Sequence, residues 1–298
     1  MSKIIIIFAV FIAGSSGYVT RSIQPNQYYL YTRSNPNQPL SVLQAATSIE
    51  TSAIDATKPT VILVHGHTGS AFTSLNPIVI NALLIAEDVN VIAVDWSVYA
   101  RLSYSVAVDT VPVVAEELAN FITLAVDTAN GAKIRLNNLH LVGFNVGAHA
   151  VGIAGRLLQA NNVGTVARIT GLDPSGSQWG TGSARLRIRD ASYVEVIHTD
   201  GTGILANGIG TALGNVDFFA NGGTNQPGCF SNACFHERAY ELFAASMVNP
   251  NLIGRPCSTN VQLTLNLCSG LGVPLGGTQL SKFGAGIYRV NTGWSFPF

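Results

Sequence analysis

The sequence predicts an α/β domain built on a mostly parallel central sheet with helices on both faces. Three observations predict it. Short runs of consecutive apolar residues, Val61-Ile62-Leu63-Val64 and residues 89–94 among them, read as strands buried on both faces. These runs alternate with longer helix-like stretches, the pattern of repeated strand–helix–strand units. Finally, Gly143-Phe144-Asn145-Val146-Gly147 stands between an apolar run and a small-residue stretch, so that strand, sharp turn and helix follow directly on one another.

The elements follow in order. Residues 61–64 form the first buried strand, and His65-Gly66-His67-Thr68-Gly69 its turn. Residues 74–87 read as helical, and residues 89–94 as a second buried strand ending at Asp95-Trp96. Residues 106–128 form a long helix with Asp109 and Pro112 near its start. Leu139-His140-Leu141-Val142 is the next strand, and Ala148 to Arg156 its close-packed helix. Arg168-Ile169-Thr170-Gly171-Leu172 is a strand ending at Asp173-Pro174, and Tyr193-Val194-Glu195-Val196-Ile197 another before His198. Residues 235–247 are helical, and the rest is Gly-rich with short alternating β stretches. Nothing repeats and no low-complexity linker interrupts, so residues 18–298 read as a single domain. Functional groups in such sheets gather at the C-terminal strand ends, where His65, Asn145 and Asp173 fall.

With 298 residues, 47% hydrophobic and 11% charged, the chain can bury a large core and is no disordered tail. A net charge of zero offers nothing to nucleic acid or to an electrostatic membrane anchor. Metal-type Cys/His spacing, a Walker loop and a dinucleotide fingerprint are all missing, so neither metal nor cofactor is expected. Residues 1–17 read as a signal peptide: Lys3, an apolar run over residues 4–13, then Gly14-Ser15-Ser16-Gly17. The run is too short to span a bilayer and no later transmembrane segment is expected, which implies a secreted, extracellular protein. The four cysteines, Cys229, Cys234, Cys257 and Cys268, suit that compartment. They allow three connectivities; the short loops favour pairing each with its neighbour. Oligomeric state is left open.

The turn at residues 143–147 has the frame G-x-S-x-G of a nucleophile elbow, with asparagine in place of serine. The matching chain order of nucleophile, acid and base would be Asn145, Asp173 in Gly171-Leu172-Asp173-Pro174, and His236 in Cys234-Phe235-His236-Glu237-Arg238. At these residues the chain resembles the secreted animal neutral lipases, the pancreatic-lipase-like family that includes insect lipases, A1-type phospholipases and insect yolk proteins. The resemblance runs from about residue 26 to about 290 and also takes in His65-Gly66-His67, Val94-Asp95-Trp96-Ser97, Val216-Asp217-Phe218-Phe219, Asn221-Gly222-Gly223 and Gln226-Pro227-Gly228-Cys229. It implies an α/β-hydrolase fold, Asp173 orienting a general base His236, and an oxyanion hole made by the backbone N–H groups of His67 and Val146. The resemblance further implies no colipase, since the chain ends without the family's C-terminal β-sandwich. With only Phe230-Ser231-Asn232-Ala233 between Cys229 and Cys234, it also implies no long lid.

The departure is Asn145. A carboxamide has no oxygen that a neighbouring base can turn into a nucleophile, although asparagine tolerates the positive φ of an elbow and its amide can hydrogen-bond His236. His65 and Asp95 read as braces of the turn, and His149 as a buried structural histidine. The expectation is a pseudoenzyme that binds a lipid or other apolar ligand, or a protein partner. A residual carboxylic ester hydrolase, through water activated by His236, is one alternative. A yolk-like storage protein is another. An apolar cleft around Asn145, Asp173 and His236 would favour ligand binding over storage.

Overall fold

The computed structural model describes residues 26–298; the signal peptide predicted at residues 1–17 lies outside them. The chain opens with an antiparallel pair, β1 (Gln27–Tyr31) and β2 (Leu40–Val42), and a short helix α1 (Ala46–Thr51). The strand–helix alternation then begins: β3 (Thr60–Val64), α2 (Leu75–Ala86), β4 (Asn90–Asp95), α3 (Ser97–Ala100), α4 (Tyr104–Val126), β5 (Leu139–Phe144), α5 (Val146–Ala160), β6 (Arg168–Leu172), β7 (Tyr193–His198) and β8 (Val216–Ala220). Helix α6 (Asn232–Ala245), β9 (Ile253–Cys257), α7 (Asn260–Thr264), β10 (Val273–Pro274) and β11 (Gly286–Val290) complete it.

One 11-stranded sheet runs in the order β10-β9-β11-β8-β7-β6-β5-β3-β4-β1-β2. From β11 through β4 every neighbouring pair is parallel, and both edges are closed by antiparallel strands. The period-two alternation of a strand splits the apolar residues between two cores. Ile62, Val64, Ile92, Val94, Leu141 and Val196 face α4 and α5. Val61, Leu63, Val91, Val142, Leu172 and Ile197 face α2 and α6. Runs buried on both sides are mainly apolar, which is why the central strands were readable in the sequence.

Helix α4 begins at Tyr104, so Pro112 lies inside it rather than near its start. Proline removes one backbone hydrogen bond there. The buried stripe Ala107, Val111, Val114, Ala115, Leu118 and Ile122 carries the helix across the gap. At the end of the sheet away from the elbow, Glu195 is buried between Arg168 (Oε1 to Nη2, 3.0 Å) and Lys282 (Oε2 to Nζ, 2.5 Å). Arg168 also donates to the carbonyls of Gly276, Gly277 and Gln279, which ties the loop before β11 to the sheet. No helix among the described residues is long and apolar enough to cross a membrane.

Candidate active site

The parallel strands bring their following loops to one edge, and the elbow stands there between β5 and α5. Asn145 has φ 58° and ψ −121°, outside the ordinary regions for a side-chain-bearing residue. The turn closes because its glycines allow backbones to touch. A Cβ at Gly147 would lie 2.4 Å from the Val64 carbonyl oxygen, and one at Gly143 would lie 2.3 Å from that of Gly147. Gly66 is shaped by Asn145 itself: a Cβ there would meet the Asn145 Cβ at 2.6 Å.

Three side chains from three loops meet in a line. His236, in the first turns of α6, donates through Nδ1–H to Oδ2 of Asp173 at 2.5 Å. Asp173, fully buried after β6, accepts at Oδ1 from the backbone N–H of Thr199 (2.8 Å) and Asp200 (3.1 Å). Asn145 donates through Nδ2–H to Nε2 of His236 at 2.9 Å. The ring is therefore the neutral tautomer, with its proton on Nδ1 and its lone pair on Nε2. Phe144 packs against the imidazole at 4.5 Å between ring centroids.

The other half of the Asn145 amide is engaged as well. Its Oδ1 accepts the backbone N–H of His67 at 3.1 Å, one of the two groups expected to form the oxyanion hole. The other, Val146, is the first residue of α5, whose N–H has no intrahelical acceptor. The asparagine thus presents its carbonyl oxygen to the His67 N–H and its amide hydrogen to His236.

His65 and His149 are buried and partnered. His65 donates from Nδ1 to the Gly66 carbonyl (2.9 Å), accepts the Trp96 N–H at Nε2 (3.2 Å) and stacks on Trp96. Asp95 beside it accepts the N–H of Ser97 at 2.8 Å. His149 donates to the Ser175 carbonyl (2.9 Å) and accepts the Leu186 N–H (3.2 Å); burial lowers its pKa to about 3. The Ser175 hydroxyl is bound to the Tyr104 hydroxyl at 2.6 Å, which itself donates to the Ser177 carbonyl, so Ser175 is no free nucleophile. Disulfides join Cys229 to Cys234 and Cys257 to Cys268. The first closes the loop carrying Ser231, the N-cap of the helix that presents His236.

A cleft of about 720 Å³ opens over Asn145 and His236. Its walls are not apolar: Thr68, Thr73, Ser177, Asn207, Asn232 and Glu237 outnumber Phe144, Leu205, Ala206 and Ala233. An interior of this kind is a poor host for an acyl chain, so the apolar cleft that would have favoured ligand binding over storage is not what surrounds Asn145 and His236. The His67 imidazole, donating to the Leu102 carbonyl at 2.9 Å, forms part of the wall.

An open parallel sheet, a strained strand-to-helix elbow and an Asn–His–Asp line at its C-terminal edge define an α/β-hydrolase with the layout of a serine hydrolase. A family model described as Lipase matches residues 17–283, and the chain belongs to the lipase family. Similar curated proteins include the pancreatic triacylglycerol lipase of Homo sapiens, 35% identical over 267 residues and covering 81% of this chain and 56% of that protein. Another is the pancreatic lipase-related protein 2 of Cavia porcellus, 34% identical over 242 residues, 78% of this chain and 54% of that one. The chain thus spans little more than half the length of these relatives. Among solved structures, the dienelactone hydrolase of Anabaena variabilis aligns over 58% of this chain and 73% of its own at 13% identity and a TM-score of 0.36.

Proposed function

We propose that this chain is a secreted lipase-family pseudoenzyme that turns over no ester and acts by binding at lipid–water surfaces. The observation that carries the reading is Asn145: it holds the nucleophile position and has both polar ends of its side chain engaged, on His67 N–H and on His236 Nε2. Loss of a triad nucleophile typically costs on the order of 10⁶ in kcat. Here the replacement also occupies an oxyanion donor, so the remaining catalysis of about 10³–10⁴ over water that such sites retain is further reduced.

Lipid contact is assigned to the rim rather than to the cleft. Phe72, Leu205, Phe230 and Trp294 follow β3, β7, β8 and β11, strands that are parallel throughout, so they stand at the same edge as the cleft. Their side chains are 53%, 75%, 92% and 73% exposed. Large apolar side chains held in water on one edge mark a contact surface, and the two disulfides suit an extracellular setting.

The test is to assay the protein and its Asn145→Ser variant on short-chain esters, triglycerides and phospholipids. The parent is expected to be inactive and the variant to gain turnover. Turnover by the parent that disappears in His236→Ala would refute the reading.

A further inference from the structure

The backbone at Asn145 has a chemical consequence of its own. At its ψ of −121° the Val146 nitrogen eclipses the Asn145 Cα–Cβ bond. That nitrogen, the Asn145 carbonyl carbon, Cα and Cβ therefore lie close to one plane. Together with Cγ, these are the atoms of a succinimide ring. In a helical or extended asparagine the next nitrogen is turned away from Cβ. Here the elbow holds most of the ring in its closed shape before any reaction begins.

The surroundings suit the reaction as well as the backbone does. Oδ1, where negative charge would develop on attack at Cγ, accepts the His67 N–H at 3.1 Å. Nδ2, the nitrogen that would leave, lies 2.9 Å from Nε2 of His236, and Asp173 steadies that ring at 2.5 Å. Val146 opens α5, so its N–H is free of an intrahelical bond that attack would have to break.

We propose that Asn145 is a self-modification site, converted by the fold to aspartate and isoaspartate through a succinimide. The Val146 nitrogen attacks Cγ and the N–Cγ bond forms. The proton it gives up passes to water, and His236, which faces Nδ2 at 2.9 Å, relays a proton from water to that leaving nitrogen; the Cγ–Nδ2 bond breaks and ammonia leaves. Water then opens the imide on either side. Water is the only outside reagent. The product replaces a neutral amide by a carboxylate next to the His236–Asp173 pair, so the charge of the site changes as the protein ages. The inference does not rest on the pseudoenzyme reading: a hydrolytically active parent would leave it standing, and the mass measurement below does not detect ester turnover.

The folded full-length protein is incubated at neutral pH and the Asn145 peptide followed by mass spectrometry, alongside the same chain in urea. In the urea sample Asn130, which precedes Gly131, serves as an internal reference for an asparagine outside any folded site. In the folded chain Asn145 is expected to lose ammonia roughly tenfold or more faster than in urea, with both aspartate and isoaspartate formed. His236→Ala is expected to slow it by roughly a further factor of ten or more. The proposal is overturned if Asn145 reacts no faster folded than unfolded, if only aspartate forms, or if a folded His236→Ala protein reacts at the parent's rate. Should that variant not fold, the folded-against-urea comparison in the parent decides alone.

Discussion

Asn145 Nδ2 stands 2.9 Å from His236 Nε2 as a hydrogen-bond donor, the relation a serine hydroxyl would hold to the base of an active hydrolase. The acceptor Nε2 is satisfied as a serine hydroxyl would satisfy it, but the donor is an amide, whose nitrogen lone pair is delocalised and makes a poor nucleophile towards an ester. The site has the hydrogen-bonded layout of a triad with an amide in place of the hydroxyl.

The elbow conformation sets the order of stability among Asn145 variants. At φ 58° a glycine is unstrained, whereas an alanine carries a backbone penalty of about 1 kcal/mol. Both lose the bonds to His67 and His236. In urea unfolding, Asn145→Gly is therefore expected to be more stable than Asn145→Ala by about 1 kcal/mol. The reverse order would show that the strain is not where the backbone puts it.

Acid should unfold this protein in part through its buried histidines. His149 is held at a pKa of about 3, and burial also carries His140 well below the ordinary 6.5. Between pH 6.5 and about 3 the unfolded chain binds protons at these rings that the folded chain does not. Their stabilising effect is thus complete above pH 6.5 and lost as the pH falls towards 3. For His149 this is at most roughly 5 kcal/mol, at about 1.4 kcal/mol per pH unit. His149→Gln is expected to flatten the fall in stability over that window, as read by urea unfolding at a series of pH values.

The close backbone approaches around the elbow predict which glycines tolerate a methyl group. Gly147→Ala would bring Cβ to 2.4 Å from the Val64 carbonyl oxygen. It is expected to destabilise by roughly 3 kcal/mol or more, if the variant folds at all. A Cβ at Gly182 meets nothing within 4 Å. Gly182→Ala is expected to be neutral or to stabilise by about 0.4–1 kcal/mol through the unfolded chain. Thermal melting of the pair checks both.

If the rim contacts lipid, polar side chains there should weaken that contact without touching the fold. Leu205→Ser with Phe230→Ser removes two exposed apolar groups, each able to contribute about 1 kcal/mol or more on partial insertion. Binding to phosphatidylcholine vesicles is expected to weaken roughly thirtyfold or more, at an unchanged melting temperature. Equal binding by parent and double variant would remove the rim from the lipid contact.

Much of the fold was legible because its centre is a parallel sheet. Thr60–Val64, Leu139–Phe144 and Tyr193–His198 are buried at every position, so they read as mainly apolar runs despite His140 and Glu195. The antiparallel edges were not legible. Ile253–Cys257 contains Gly254, Arg255 and Pro256 and is a strand only because it pairs with Gly286–Val290. Val216–Ala220 hid as a strand behind Asp217, a buried acid whose charge is answered by His198 and the N–H groups of Leu213 and Gly214. In the site, chain order pointed to Asn145, Asp173 and His236. The bond from His67 N–H to Asn145 Oδ1 depends on a side-chain torsion that no spacing encodes. The polar walls of the cleft come from loops after several different strands, so no local pattern announced them.

The most direct measurement is a covalent one. A fluorophosphonate probe reports a nucleophile activated by a neighbouring base, whatever the natural substrate. Incubated with the parent, it should leave the intact mass unchanged, while Asn145→Ser should take up one adduct, mapped to residue 145 and lost in Asn145→Ser/His236→Ala. An adduct on the parent that requires His236 would mean that the site still holds a working nucleophile, and would contradict the assignment of Asn145 as the residue that silences it.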